Sequence, residues 1–236
     1  MSKLDRITDR ILAVLGLELD FSMSDDPRSF DPITEDLYLG ARPEPAHVHA
    51  LADAGITHVV SCLHETERAK VAFVREHFES LFIPMHDGID EDIASAFSRL
   101  FDFTDAARRR RPGARILVHC EVGVSRSATL AIALVMRDAR KRFFEAYCDV
   151  RDKRRGVLPN IGFASQLQRL ERDLHLQTRD PPAVSSLARY LKEVCMAPVD
   201  LRTLEDMLHQ HGHDAPKALK AIFGEEIPRV VQGVRS

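Results

Sequence analysis

His119, Cys120, Gly123, Arg126 and Ser127 stand at short spacings in the run Val118-His119-Cys120-Glu121-Val122-Gly123-Val124-Ser125-Arg126-Ser127. A cysteine and an arginine six residues apart around a glycine suit phosphate chemistry. A thiolate is a strong nucleophile, and the planar arginine fork grips two phosphate oxygens, which lysine cannot do. Free cysteine, with a pKa of about 8.5, is only a few per cent thiolate at neutral pH, so the loop must favour the anion. The context is suited to that. An apolar run, Ile116-Leu117-Val118, leads in and a helix-like run, Ser127 to Arg137, leads out. A loop at a helix N-terminus turns backbone N–H groups toward one point, which the helix dipole makes positive. Glu121, Val122, Gly123, Val124, Ser125 and Arg126 are therefore the candidate phosphate cradle above Cys120. Gly123 permits backbone angles closed to other residues. The Ser127 hydroxyl can hydrogen-bond the sulfur as it leaves. The alternative for Cys120 is a buried, inert cysteine at a strand end. At roughly one chance in twenty per position, accident produces the five-residue pattern about once in ten thousand such chains.

Attack on phosphorus also needs an acid for the departing oxygen, and the same group can then activate water. The segment Leu81-Phe82-Ile83-Pro84-Met85-His86-Asp87-Gly88-Ile89-Asp90-Glu91-Asp92-Ile93 offers an apolar run, a turn and a helix start. Asp87 opens the loop beside the flexible Gly88, and Asp90 is the second candidate. Asp92 sits before an apolar-periodic run and reads as a helix cap. On spacing alone, each of these carboxylates reads as a solvated loop residue.

These residues resemble the cysteine-dependent dual-specificity protein phosphatases of the protein tyrosine phosphatase superfamily. His119 to Ser127 is similar to the family's His-Cys-x-x-Gly-x-x-Arg-Ser/Thr signature. The likeness extends to Leu37-Tyr38-Leu39-Gly40, to Ala54-Gly55-Ile56-Thr57-His58-Val59-Val60, to Ile83-Pro84-Met85-His86-Asp87 and to Pro159-Asn160-Ile161-Gly162-Phe163-Ala164-Ser165-Gln166-Leu167. It covers residues 30 to 175 and implies an α/β fold, a central, mostly parallel sheet flanked by helices. It also implies a two-step phosphocysteine mechanism with no cofactor and no metal. Cys120 would be the nucleophile, Arg126 the clamp and Asp87 the acid and base. His119 would hold the loop and tune the thiolate, and Ser127 would assist breakdown of the intermediate. In several relatives a cysteine after the strand matching Thr57 to Ser61 pairs reversibly with the nucleophile, which makes Cys62 a candidate partner of Cys120. The alternative is a small apolar strand residue.

The implied substrate is a phosphoprotein carrying phosphotyrosine, phosphoserine or phosphothreonine. Superfamily members that act on phosphoinositides tend to place lysines in this loop, where the present chain has Glu121 and no lysine. That charge would repel a highly phosphorylated headgroup. The competing readings are a phosphoinositide or other non-protein phosphatase with the same chemistry, and a non-catalytic phosphoprotein-binding relative. An RNA 5′-phosphatase is expected to be more basic.

The elements that must position these residues follow from the rest of the chain. It has 236 residues, 44% hydrophobic and 29% charged, enough for a full core in one or two domains. A net charge of −3 calls for neither nucleic acid nor membrane, and the longest apolar run falls far short of a bilayer span. Ile11 to Leu17 is flanked by acids and does not read as a signal core. Four widely spaced cysteines argue for a reducing compartment, cytoplasmic or nuclear. Residues 1–29 divide into an apolar-spaced helix over 3–17 and a linker that begins at 21 and runs on to 32. Residues 30–178 are the catalytic domain, with helices expected at 46–54, 66–79, 92–110, 127–141, 143–152 and 160–175 and strands at 37–39, 57–62, 81–84 and 115–119. Residues 183–236 form a helical C-terminal extension or small module, with helices at 183–196, 200–211 and 214–223, and are the candidate surface for a protein partner. Within it Leu204-Glu205-Asp206-Met207-Leu208 and Ala218-Leu219 bear a faint resemblance to ubiquitin-binding three-helix domains. Arg108 to Arg111 reads as a solvated helix end. Lys153-Arg154-Arg155-Gly156 reads either as an attractor for acidic substrates or as a solvated loop. His209, His211 and His213 match no usual zinc spacing.

Overall fold

The computed structural model of the chain describes residues 30–176, 184–194, 197 and 199–223. The helix expected over 3–17 and the first part of the expected linker lie outside them.

Five strands make one sheet in the order β1-β2-β5-β3-β4: β1 Phe30–Pro32, β2 Leu37–Gly40, β3 His58–Leu63, β4 Glu79–Pro84 and β5 Ile116–His119. β2, β5, β3 and β4 run parallel, and β1 pairs antiparallel at the edge. The mostly parallel sheet implied by the sequence is the observed one. β1 falls at the end of the stretch expected to be a linker. Its Phe30 is buried and meets the Tyr38 ring edge-on at 6.0 Å. Three residues ending in a proline carry too little alternation to read as a strand.

Side chains alternate across the sheet with the period of two. Val59, Leu63 and Leu117 face one core, under the helices α1 Val48–Asp53 and α2 Val74–His77. Val60, Cys62, Ile116, Val118 and Cys120 face the other. That larger core is built on α3 Phe97–Arg110, α4 Arg126–Asp138, α5 Phe143–Lys153 and α6 Ile161–Asp173. α4 is buried from Arg126 through Met136, as a helix must be when it is apolar on nearly every side. The single helix expected over 66–79 is instead a 3-10 run, Glu65–Val71, followed by the short α2. Phe78 turns extended, and Glu79 N–H donates to the Thr57 carbonyl at 3.2 Å, so sheet pairing ends the helix early.

Three helices complete the described chain: α7 Ser186–Glu193, α8 Leu201–Gln210 and α9 Ala215–Phe223. Leu187, Leu191, Leu204, Leu208, Ala218 and Leu219 join the larger core. Leu204, Leu208, Ala218 and Leu219 of α8 and α9 therefore turn inward, and they are not residues a partner would meet. Arg108 also departs from its solvated reading. It donates to Asp36 at 2.7 Å and Asp138 at 2.8 Å, tying α3 to the start of β2 and the end of α4. No helix among the described residues is long and apolar enough to cross a membrane.

Candidate active site

β5 is the central strand, and its C-terminal end delivers Cys120 to the edge of the sheet where open α/β folds bind ligands. The chain then turns sharply and enters α4 at Arg126. Gly123 makes that turn with φ +82°, and a Cβ there would lie 2.5 Å from the Gly40 carbonyl oxygen. No other residue fits so close to the end of β2 without moving backbone. The turn aims the Gly123 N–H at the Cys120 sulfur, at 3.2 Å, and the Ser127 hydroxyl donates to the same sulfur at 3.2 Å. Cys120 itself is 2% exposed.

Arg126 is buried, yet its Nε has no hydrogen-bond partner. One terminal nitrogen reaches the Met85 carbonyl at 3.4 Å, and Nε lies 3.7 Å from Asp87 Oδ2. A buried guanidinium donor without an acceptor is costly unless an anion completes it. Asp87 follows β4 and is held firmly. Its Oδ1 accepts from the Ser125 hydroxyl at 2.6 Å and from the Asn160 side-chain amide at 3.0 Å. With both donors on Oδ1, Oδ2 is left to face Arg126. Asp90 is exposed and stands outside this cluster. Asp92 accepts from the Ser95 N–H at 3.3 Å, a capping contact.

His119 is fully buried, and burial drives its pKa down to about 4, so the ring is neutral. Its Nδ1 lies 3.2 Å from the Cys120 carbonyl and its Nε2 2.8 Å from the Ser61 hydroxyl. A neutral ring satisfies both by donating from Nδ1 and accepting at Nε2. It braces the loop without adding charge to it.

The structure thus gathers His119, Cys120, Gly123, Ser125, Arg126, Ser127 and Asp87 at one place. Glu121 and Val122 lie on the rim. The Glu121 carboxylate pairs with Arg42 at 3.0 Å, which offsets the charge expected from sequence to repel a highly phosphorylated headgroup. Val122 is 39% exposed and Val124 is half-buried. Arg154 is half-buried against the loop. It donates to the carbonyls of Gly123 and Val122, both at 3.1 Å, and to Asp31 at 2.6 Å. Those bonds hold carbonyls outward and so turn the loop's N–H groups inward. Arg42, Asn160 and the Ser125–Asp87 contact were not read from sequence as site parts, and Arg154 was read only as an attractor for acidic substrates or a solvated loop residue. Only Asn160 carried a signal, as an N-cap, and it does cap α6 by accepting from the Phe163 N–H at 2.9 Å.

Cys62 shares the Cys120 face of the sheet, one step beyond the Ser61–His119 pair, with its thiol 3.6 Å from the Met85 sulfur. Burial first, and then the charge of Cys120, push the Cys62 thiol well up. A thiol kept protonated is a slow partner in disulfide exchange. Among the described residues no three His, Cys, Asp or Glu side chains are grouped to hold a metal ion.

A thiol under convergent donors, a buried arginine and a facing carboxylate, at the end of a parallel strand, define a cysteine-dependent phosphatase site. Residues 37–173 match the family described as dual specificity phosphatase, catalytic domain, and the chain belongs to that family. It is 34% identical over 145 residues to human dual specificity protein phosphatase 5, a match covering 61% of this chain and 36% of that protein. It is 39% identical over 145 residues to bovine (Bos taurus) dual specificity protein phosphatase 26, covering 61% and 68%. Among solved structures, the human tyrosine phosphatase-like serine/threonine/tyrosine-interacting protein is 28% identical with a TM-score of 0.58, covering 62% of this chain and 97% of that one. The chain therefore spans little more than a third of the length of the first of these relatives.

Proposed function

We propose that the chain hydrolyses phosphotyrosine, phosphoserine and phosphothreonine in proteins through a phosphocysteine intermediate. The observation that carries this is the unpartnered, buried Nε of Arg126 beside a cysteine sulfur that already receives two hydrogen bonds. In the first step the Cys120 thiolate attacks phosphorus, an S–P bond forms and the P–O bond to the leaving group breaks. Asp87, protonated on Oδ2, gives that proton to the departing oxygen. Arg126 and the loop N–H groups stabilise the charge on the phosphoryl oxygens. In the second step the Asp87 carboxylate takes a proton from water as the water oxygen attacks phosphorus. The S–P bond breaks, inorganic phosphate leaves, and the sulfur returns as a thiolate that accepts from Ser127.

Phosphoprotein is favoured as substrate by the relatives named as protein phosphatases and by a loop with no lysine. The charge of Glu121 gives no support, since Arg42 neutralises it. The test is hydrolysis of phosphopeptides and phosphoinositides side by side, in chelator, with vanadate as inhibitor. The expected result is phosphopeptide turnover that vanadate blocks and Cys120→Ser abolishes while substrate binding remains. Turnover that survives Cys120→Ser would overturn the mechanism. Turnover confined to lipids would overturn the substrate class.

A further inference from the structure

The acid is held by Ser125 and Asn160, and the peptide that places both is braced by a residue outside the family match. Asn160 spends every polar atom of its side chain. Its amide nitrogen donates to Asp87 Oδ1 at 3.0 Å and to the Gly88 carbonyl at 3.3 Å, and its amide oxygen caps α6. Its backbone N–H donates to Ser125 Oγ at 3.3 Å, and Ser125 in turn donates to Asp87. The orientation of the Pro159–Asn160 peptide therefore decides where both donors to Asp87 stand. A trans peptide is a rigid plate whose C=O and N–H point opposite ways. Ser125 holds the N–H edge. The opposite edge, the Pro159 carbonyl, accepts from the Tyr190 hydroxyl at 2.5 Å. Pro159 precedes the N-cap of α6, so its carbonyl lies outside the helix ladder.

Tyr190 belongs to α7, beyond residue 173 where the family match ends. Its own place is fixed independently of the hydroxyl. The ring is fully buried, edge-on to Tyr147 at 5.0 Å and tilted against Phe143 at 5.4 Å. The start of α7 is anchored to α6 by Ser186, which donates to Glu171 at 2.6 Å, and by the Leu187 N–H, which donates to Gln168 at 2.8 Å.

We propose that Tyr190 is a positioning residue for the general acid, and that the C-terminal helices thereby form part of the catalytic unit. It acts through the Pro159–Asn160 peptide on Asp87, and it rests on the phosphatase reading above. Removing the hydroxyl frees one edge of the plate, and Asn160 and Ser125 lose the register in which they present Asp87 to the leaving oxygen.

Tyr190→Phe in the full chain keeps the ring and deletes the contact. Phenyl phosphate, a poor leaving group, needs the acid, whereas p-nitrophenyl phosphate scarcely does. The expected result is a kcat roughly 10-fold lower on phenyl phosphate and less than about 2-fold lower on p-nitrophenyl phosphate, with vanadate affinity preserved. In an Asp87→Asn background the same substitution should cost no further activity, because the group it positions is gone. Equal losses on the two esters, or a full additional loss on top of Asp87→Asn, would overturn the inference and leave Tyr190 a residue of packing alone. A wild-type protein that turns over neither ester would overturn the phosphatase reading and this inference together. Wild-type turnover that is lost in Cys120→Ser, with a Tyr190→Phe loss blind to the leaving group, overturns the inference alone.

Discussion

The Asp87 carboxylate divides its labour between two oxygens, and that division is what the site has beyond a reactive sulfur. Oδ1 is occupied by Ser125 and Asn160, and Oδ2 faces Arg126 at 3.7 Å. In the proposed mechanism it is the proton on Oδ2 that passes to the departing oxygen. Asp87→Asn keeps the size and a hydrogen-bonding head but cannot transfer the proton. General acid catalysis contributes about 10²-fold or more, so the variant should lose roughly that factor on phenyl phosphate and far less on p-nitrophenyl phosphate. Steady-state kinetics on the two esters decides it, and equal losses would remove Asp87 from the acid role. The sulfur and the clamp were readable before any fold was known, because a nucleophile, an arginine and a glycine at fixed spacing form a local pattern, whereas Asp87 was favoured only by the family resemblance. The partners that aim these groups were not readable. Asn160 meets Asp87 across 73 positions and Arg154 meets Asp31 across 123, and no spacing rule connects residues so far apart.

At the scale of elements, the site is a junction of three chain segments: the β5–α4 loop, the loop after β4 and the start of α6. Gly162, in the first turn of α6, shows how tightly the last two meet. A Cβ on it would lie 1.9 Å from the Ile89 carbonyl oxygen and 2.7 Å from the Ile89 carbonyl carbon, both backbone atoms that cannot swing aside. Gln166, one turn later, grips the same loop by donating to the Glu91 carbonyl and accepting from the Ala94 N–H, each at 2.8 Å. Gly162→Ala must therefore push the acid loop off α6 while leaving Cys120 and Arg126 in place. The expected outcome is a leaving-group-dependent loss like that of Asp87→Asn, with vanadate affinity within about 3-fold of wild type, since the phosphate cradle is untouched. Loss of vanadate binding in the same variant would show that the cradle and the acid loop are not separable. Strands and helices around this junction were legible where the apolar period was strong, as in β3, β5 and α4. They were not where tertiary pairing overrode local pattern. β1 is too short to alternate, and the helix expected over 66–79 gives way at Phe78 because the chain must enter β4. The glycine at 162 would have been read as a mild cost to a helix, when its role is the close approach of another backbone.

For the molecule as a whole, the C-terminal helices and the sheet share one core, and a buried ionic knot joins them. Glu171, fully buried on α6, accepts from Arg142 at 3.2 Å, from the Phe143 N–H at 2.8 Å and from Ser186 at 2.6 Å, linking α5, α6 and α7. Glu171→Ala leaves a largely buried guanidinium and a buried N–H without their acceptor, and should lower unfolding free energy by about 3 kcal/mol in denaturant titration. Acid sensitivity is a second property of the whole fold. Burial holds His119 neutral with a pKa of about 4, against an ordinary value of 6.5, and His58 is lowered in the same direction, again by burial first. Below pH 6.5 the unfolded chain takes up a proton on His119 that the folded chain refuses until about pH 4. Stability is therefore full above the unfolded value and falls as pH drops from about 6.5 to about 4, by roughly 3 kcal/mol in total from this ring. His119→Gln keeps a donor and an acceptor for the Cys120 carbonyl and the Ser61 hydroxyl but cannot titrate. Its unfolding free energy should lie below wild type at pH 7, yet fall by about 2 kcal/mol less than wild type between pH 6.5 and pH 5. Parallel pH profiles for the two proteins would mean that the folded chain takes up the His119 proton as readily as the unfolded one, and that burial does not keep the ring neutral below pH 6.5.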